Sequence, residues 1–308
     1  MAEERLQIEP IEGRSLWSDG IRKLRRRKLA VVCFWIIMLY AAVACYVQAA
    51  QWSGDYWPAN WDVSTGQKYE APSWKNLCGT DIFGYSILRK VIYGTKISLK
   101  VAFFASIISL LIGIPLGATA GYFGGFVDEI ITWVYSTLSS IPYILLILAF
   151  ALVLKDKTFM GTKLAGATTV YLAIGLTSWV DICRLIRGEV LKHKQKEYVF
   201  AARSYGCSNL RIIFVHLLPN FFHIVIISFS LRFMSFIHAE VILSFLGLGE
   251  KNSPSWGAMI DSARLDLPKG YWWEMTAATL AILIISLALN IFGDALRDSL
   301  DPKLKAKG

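Results

Sequence analysis

Long apolar runs, broken by short polar stretches, set the pattern of this chain. Six runs stand out: Leu29–Ala50, Val101–Ala120, Ile130–Leu154, Leu164–Ile182, Phe221–Leu248 and Trp273–Phe292. About 20 apolar residues in a helix cross ~30 Å of hydrocarbon, and a backbone in lipid must satisfy its polar groups internally. The pattern therefore predicts an all-α polytopic protein with six transmembrane helices. Pro115 and Pro142 fall inside the second and third runs, where each removes a backbone donor and bends the helix. The first run follows a basic stretch and ends in small residues, as a cleaved signal does, but its length favours an uncleaved span.

The polar segments divide the chain further. Residues 1–28 are an N-terminal segment in which Leu16, Trp17, Ile21 and Leu24 share one face, so Ser15–Lys28 is expected to form a short interfacial helix. Residues 51–96 follow the first span, and within Gly79–Lys100 a turn leads into an amphipathic helix. Residues 97–293 hold the other five spans, and 294–308 form a tail. Gly121–Glu129 reads as a tight turn, and 183–220 as one long basic loop.

Charge orients these pieces. Residues 1–28 carry eight Lys/Arg, 183–216 seven and the tail four, against five in 51–96 and three in 249–274. The positive-inside rule places both termini and the 183–220 loop in the cytoplasm and 51–96 outside. The net charge of +9 is thereby explained without nucleic acid. Hydrophobic residues make up 55% and charged residues 18%, which excludes a disordered or disulfide-scaffold protein. The five cysteines have no C-x-x-C spacing and read as free thiols.

The loop Lys192–Asn220 carries the most information. Tyr198, Ala201, Ala202 and Tyr205 recur at i, i+3, i+4 and i+7, one helical face with small residues at its centre. Gly206 stops this helix, Ser208 or Asn209 caps the next, and Pro219 suits the start of the following span. Pattern alone fits two readings: a helix docked in a partner's groove, or one lying on lipid.

The spacing Ala201, Ala202, Gly206, then His216, Leu218 and Pro219, resembles the "EAA" loop of binding-protein-dependent ABC transporter permeases. Further stretches resemble the C subunit of oligopeptide/dipeptide permeases: Gly79–Asp81, Ile92–Leu99, Gly121–Gly125, Ile141–Pro142, Ser244–Gly249, Ser255–Gly257 and Gly293–Leu304. The resemblance implies a type I ABC importer permease fold in a bacterial plasma (inner) membrane. It implies a second permease subunit in a heterodimer, two ATP-binding subunits, an extracytoplasmic peptide-binding protein and a peptide substrate. Glu197, Tyr198, Ala201, Ala202, Tyr205, Gly206, His216, Leu218 and Pro219 would then form the coupling element that meets the ATPase. Phe200 stands where the motif often has an acid, and Tyr85–Ser86 where the family usually reads Arg-Asp. Nickel or a peptide antibiotic is an alternative cargo in related systems.

Arg232, His238 and Glu240 lie in the fifth run, where a charge costs roughly 3 kcal/mol or more and faces a cavity or a partner. Arg232 reads as a pathway or inter-subunit residue. His238 and Glu240 fit either that role or a place near the outer boundary. Asp181 reads as the surface partner of Arg184. No phosphate-binding loop, zinc spacing or nucleophile elbow is present, so the sequence calls for no cofactor and no catalysis of its own. Energy would come from ATP in a partner or, in a second reading, from an ion gradient through a secondary transporter.

Overall fold

A computed structural model describes residues 16–54, 60–159 and 161–300. The expected N-terminal residues 1–15 and the last residues of the tail, 301–308, lie outside them. Described helices are α1 (Leu16–Arg26), α2 (Lys28–Ser53), α3 (Ile87–Phe123), α4 (Gly125–Ser139), α5 (Tyr143–Leu154), α6 (Ala167–His193), α7 (Glu197–Ser204), α8 (Asn209–Arg211), α9 (Leu218–Phe245), α10 (Trp256–Asp266) and α11 (Trp273–Leu300). A two-residue ribbon, Thr158–Phe159 against Thr162–Lys163, closes the turn before α6. By length and composition, five helical stretches are able to cross a membrane, and α4 with α5 make a sixth if the bent pair counts as one span.

The third run departs from a simple bent helix. Pro142 cannot donate to the ladder, and the chain breaks at 140–142 into α4 and α5, which meet at 95°. The expected tight turn Gly121–Glu129 contracts to Gly124, because α3 continues to Phe123 and α4 starts at Gly125. Gly124 and Gly125 take φ +69° and +51° and make the turn between them.

The centre of the bundle is α3 packed along α6, running the same way. Gly113, Gly117 and Gly121 recur every four residues on α3 and face α6. A Cβ on them would meet the carbonyl oxygens of Trp179, Cys183 and Arg187 at 2.8, 2.4 and 2.8 Å. Gly175 of α6 answers near the other end, against Ile108. Only glycine lets these backbones touch, as in small-residue packing of membrane helices.

The end of the bundle that holds the start of α3 is tied by polar contacts. Lys90, buried at the start of α3, bonds Asp81 at 2.9 Å and Glu274 of α11 at 2.6 Å. Asp81 also accepts the backbone N–H groups of Phe83 and Tyr85. Trp273 donates its indole N–H to the Thr80 carbonyl. α10 lies across this end, with fully buried Trp256 donating to the Val91 carbonyl at 3.1 Å.

Candidate functional site

At the opposite end, α1 packs on the end of α11, and α7 lies beside the end of α3. Arg27 pairs with Asp298 at 2.8 Å. α6 does not stop at Ile182 but runs on to His193, so most of the expected 183–220 loop is helical. Lys194 then donates to the Gly121 carbonyl at 2.9 Å, capping the exposed carbonyls at the end of α3.

α7 is anchored on one side and open on the other. Val199 and Ala202 are buried with Ile186, Val190, Ile212, Leu217 and Phe221. Tyr198 is half-buried, its hydroxyl 3.0 Å from His193 Nδ1. Glu197, Phe200, Ala201, Ser204 and Tyr205 form the outward stripe, with Tyr205 87% exposed. The face expected from spacing is therefore divided: Ala201 and Tyr205 point out, Ala202 points in. Small and aromatic positions alone do not reveal which neighbour Val199 will choose.

Gly206 ends α7 as expected. Its φ is +74°, its N–H bonds the Arg203 carbonyl at 2.9 Å, and Cys207 N–H bonds the Ala202 carbonyl at 3.1 Å. These two bonds are a Schellman closure, which leaves the next residues leading away from the helix. The next helix is not capped by a side chain. Ser208 takes the N-cap backbone position without a side-chain bond, and Asn209 instead accepts the Tyr122 hydroxyl at 3.0 Å. Arg203 lies 5.2 Å over the Tyr122 ring. A π-helical turn, Ile212–Leu217, joins α8 to α9, and His216 sits within it. Pro219 supplies no N–H to the turn before it, and Phe221 leaves helical geometry (φ −118°, ψ 16°), so the widened turn and the kink share one cause. Leu218 is half-buried beside the same apolar cluster, and Pro219 is exposed.

A second site lies along the helices. Asp181 does not pair with Arg184. Its carboxylate meets Arg232 of α9 at 3.0 Å. Arg184 donates to Ser139 Oγ at 3.0 Å and lies 5.3 Å over the Tyr135 ring. Tyr143 and Ser178 share a hydrogen bond of 3.1 Å. A cleft of about 440 Å³ opens beside these groups. Its wall combines one arginine, Arg184, with the Asp181 carboxylate and the hydroxyls of Ser139, Ser140, Tyr143, Thr177 and Ser178.

Glu240 is fully buried, accepting Ser98 and Ser244 hydroxyls at 2.7 Å each. His238 is half-buried, with Nε2 3.0 Å from Ser286 Oγ. The structure thus separates the three polar residues of the fifth run: Arg232 to an ion pair with Asp181, His238 to a cavity edge beside Tyr143 and Ser235, and Glu240 to packing between α3 and α9. Sequence reading missed the seam glycines and Lys90. The every-fourth-residue spacing of Gly113, Gly117 and Gly121 was the available signal for the first; no local signal pairs Lys90 with Glu274 across 184 positions.

Comparison with known proteins agrees with this architecture. Residues 113–306 match the family described as "Binding-protein-dependent transport system inner membrane component", and residues 15–72 match the "N-terminal TM domain of oligopeptide transport permease C". The chain belongs to the binding-protein-dependent permease family. This permease is 33% identical over 294 residues to the dipeptide transport system permease protein DppC of Bacillus subtilis (strain 168), covering 94% of this chain and 87% of that one. It is 35% identical over 294 residues to the glutathione transport system permease protein GsiD of Pectobacterium atrosepticum, covering 95% and 93%. In fold, it is similar to a permease chain in inward-facing structures of the MetNI methionine ABC transporter, with TM-score 0.55, 16% identity, and coverage of 70% of this chain and 98% of that one. The permease is a non-catalytic membrane subunit, and its family works with a substrate-binding protein and an ATP-hydrolysing partner.

Proposed function

We propose that this permease is one of two membrane subunits of an ATP-driven peptide importer, and that α7 is where an ATPase subunit grips it. The observation that carries this reading is the division of α7. Val199 and Ala202 fix it to α6 and α9, while Phe200, Ala201, Ser204 and Tyr205 stand free for a partner. A helix so pinned moves with the two long helices it joins, so a push on its outer stripe reaches the cleft at Asp181 and Arg184 and the Asp181–Arg232 pair between α6 and α9. The names of the relatives support peptides as the cargo class.

The end bearing α1 and α7 then faces the cytoplasm, with both termini, and the end bearing Lys90 and α10 faces outside; the excess of Lys/Arg in 1–28 and 183–216 supports this. ATP binding would close the ATPase pair, and α7 would carry the motion as a rigid body that shifts the permease pair between inward- and outward-open states. Glu197 begins the outer stripe and supplies the charge absent at Phe200. His216, Leu218 and Pro219 would act from behind, through the π turn that sets the angle of α9.

The test is Gly206→Val in the assembled transporter. A β-branched residue at φ +74° strains the cap and redirects Cys207 and Ser208, with open space around the new side chain. Expected is normal membrane insertion, at least tenfold slower ATP-dependent uptake, and loss of the co-purifying ATPase. Full uptake by this variant would count against docking through α7.

A further inference from the structure

The cleft at the α4–α5 break has an unbalanced charge. Asp181 lies midway along α6 and Arg232 midway along α9, about 20 Å of helix from either end of each. At that depth lipid does not tolerate exposed charge, yet the Asp181 side chain is 55% exposed and that of Arg232 26%. Water or a partner must fill the space beside them. Arg184, one turn beyond Asp181, has a hydroxyl and an aromatic ring as partners and no carboxylate among the described residues. Its guanidinium spends one N–H on Ser139 and keeps a fork of donors that matches the two oxygens of a carboxylate. The Asp181 carboxylate, which shares the lining with Arg184, is paired with Arg232 outside it, so Arg184 is the charge of the cleft left without a counter-ion among the described residues.

We propose that this cleft is a carboxylate-binding subsite on the path of the transported solute, with Arg184 as its ligand. The proposal rests on the importer reading above and deepens it. Every linear peptide ends in one main-chain carboxylate whatever its side chains, so a subsite of this kind handles the backbone end and ignores sequence. Its size, about 440 Å³, accommodates a terminal residue with several waters, not a whole peptide.

The experiment places a reporter thiol at the rim by Ser140→Cys in the full transporter in proteoliposomes, with Ser139→Cys as a second reporter. Modification at that position is followed by mass spectrometry with anionic and cationic water-soluble thiosulfonates of equal size. The anionic reagent is expected to react about fivefold faster, with the preference abolished by adding Arg184→Gln. A short peptide should slow the anionic reaction, and its C-terminal amide should not. The proposal is overturned if the ratio is unchanged by Arg184→Gln, if acid and amide protect alike, or if only a membrane-permeant maleimide reacts, which would place the cleft against lipid. ATP-dependent uptake by the unsubstituted transporter, measured alongside, separates the two levels. Intact uptake without charge preference removes the subsite alone, and uptake without ATP dependence removes the importer reading beneath it.

Discussion

Glu240 brings a carboxyl group into the contact between α3 and α9 and finds two serine hydroxyls waiting there. Removing the acceptor strands both, at a cost of about 1–3 kcal/mol for each buried group left unpaired. Glu240→Ala is therefore expected to lower the melting temperature of the detergent-solubilised permease, and Glu240→Gln, which keeps an acceptor of the same shape, much less; equal losses would assign the effect to packing. At the end that carries α10, Tyr69 stacks on Tyr271 with centroids 3.9 Å apart and donates to Asp266 at 2.8 Å. Burial and then this bond push the Tyr69 phenol up to about 12. Burial also raises the Asp266 carboxyl, but hydrogen bonds from Lys269 and Tyr69 outweigh it and hold the group below its ordinary value. A lowered carboxyl stabilises above the ordinary carboxylate range and loses that stability as pH falls through its folded value. A raised phenol stabilises below its ordinary pKa and loses that as pH climbs through about 12. Segment 60–86 should thus be most protected from hydrogen exchange between about pH 4 and 10, and Tyr69→Phe should weaken that protection at both ends. None of these pairings is written in local sequence. Burial of Arg232 or Glu240 was readable as a cost, but which group meets the cost depends on how distant helices align.

The helices themselves were largely legible. Apolar runs located α2 and α9 within a few residues at each end and the apolar parts of α3, α6 and α11, since hydrocarbon thickness fixes a length that composition reports directly. Their polar extensions were not, because Arg184, Arg187 and Lys192 mark a loop on hydropathy while being good helix formers that continue α6 to His193. α7 and its glycine stop followed from spacing, but its inward face shifted toward Val199 once the neighbouring apolar cluster was present. The α3–α6 seam supplies the prediction at this scale. Gly117→Ala places a methyl group 2.4 Å from the Cys183 carbonyl oxygen, against backbone that has no rotamer to change. Helix separation must follow, so the variant should accumulate poorly or lose uptake, and Gly188→Ala on α6, where nothing lies within 4 Å, should behave as the unsubstituted chain.

For the whole molecule, order along the chain was accessible from run length, and the resemblance to the permease family agrees with the matched family and relatives. The 95° break was harder to foresee. A proline inside an apolar run announces a bend, but Pro115 stays within an unbroken α3 while Pro142 divides its helix. Residue type is the same in both; the packing around them differs, for Pro115 sits between the seam glycines 113 and 117, and the backbone there is held against α6.

That seam also decides where motion has to come from. Two rods whose main chains touch have no compressible layer between them, so α3 and α6 swing together or not at all. Whatever cycle the permease runs, its play is confined to the joints that lack such a weld: the elbow at 140–142 and the wide turn at 212–217. Stiffening either joint should arrest traffic while leaving every contact along the seam untouched.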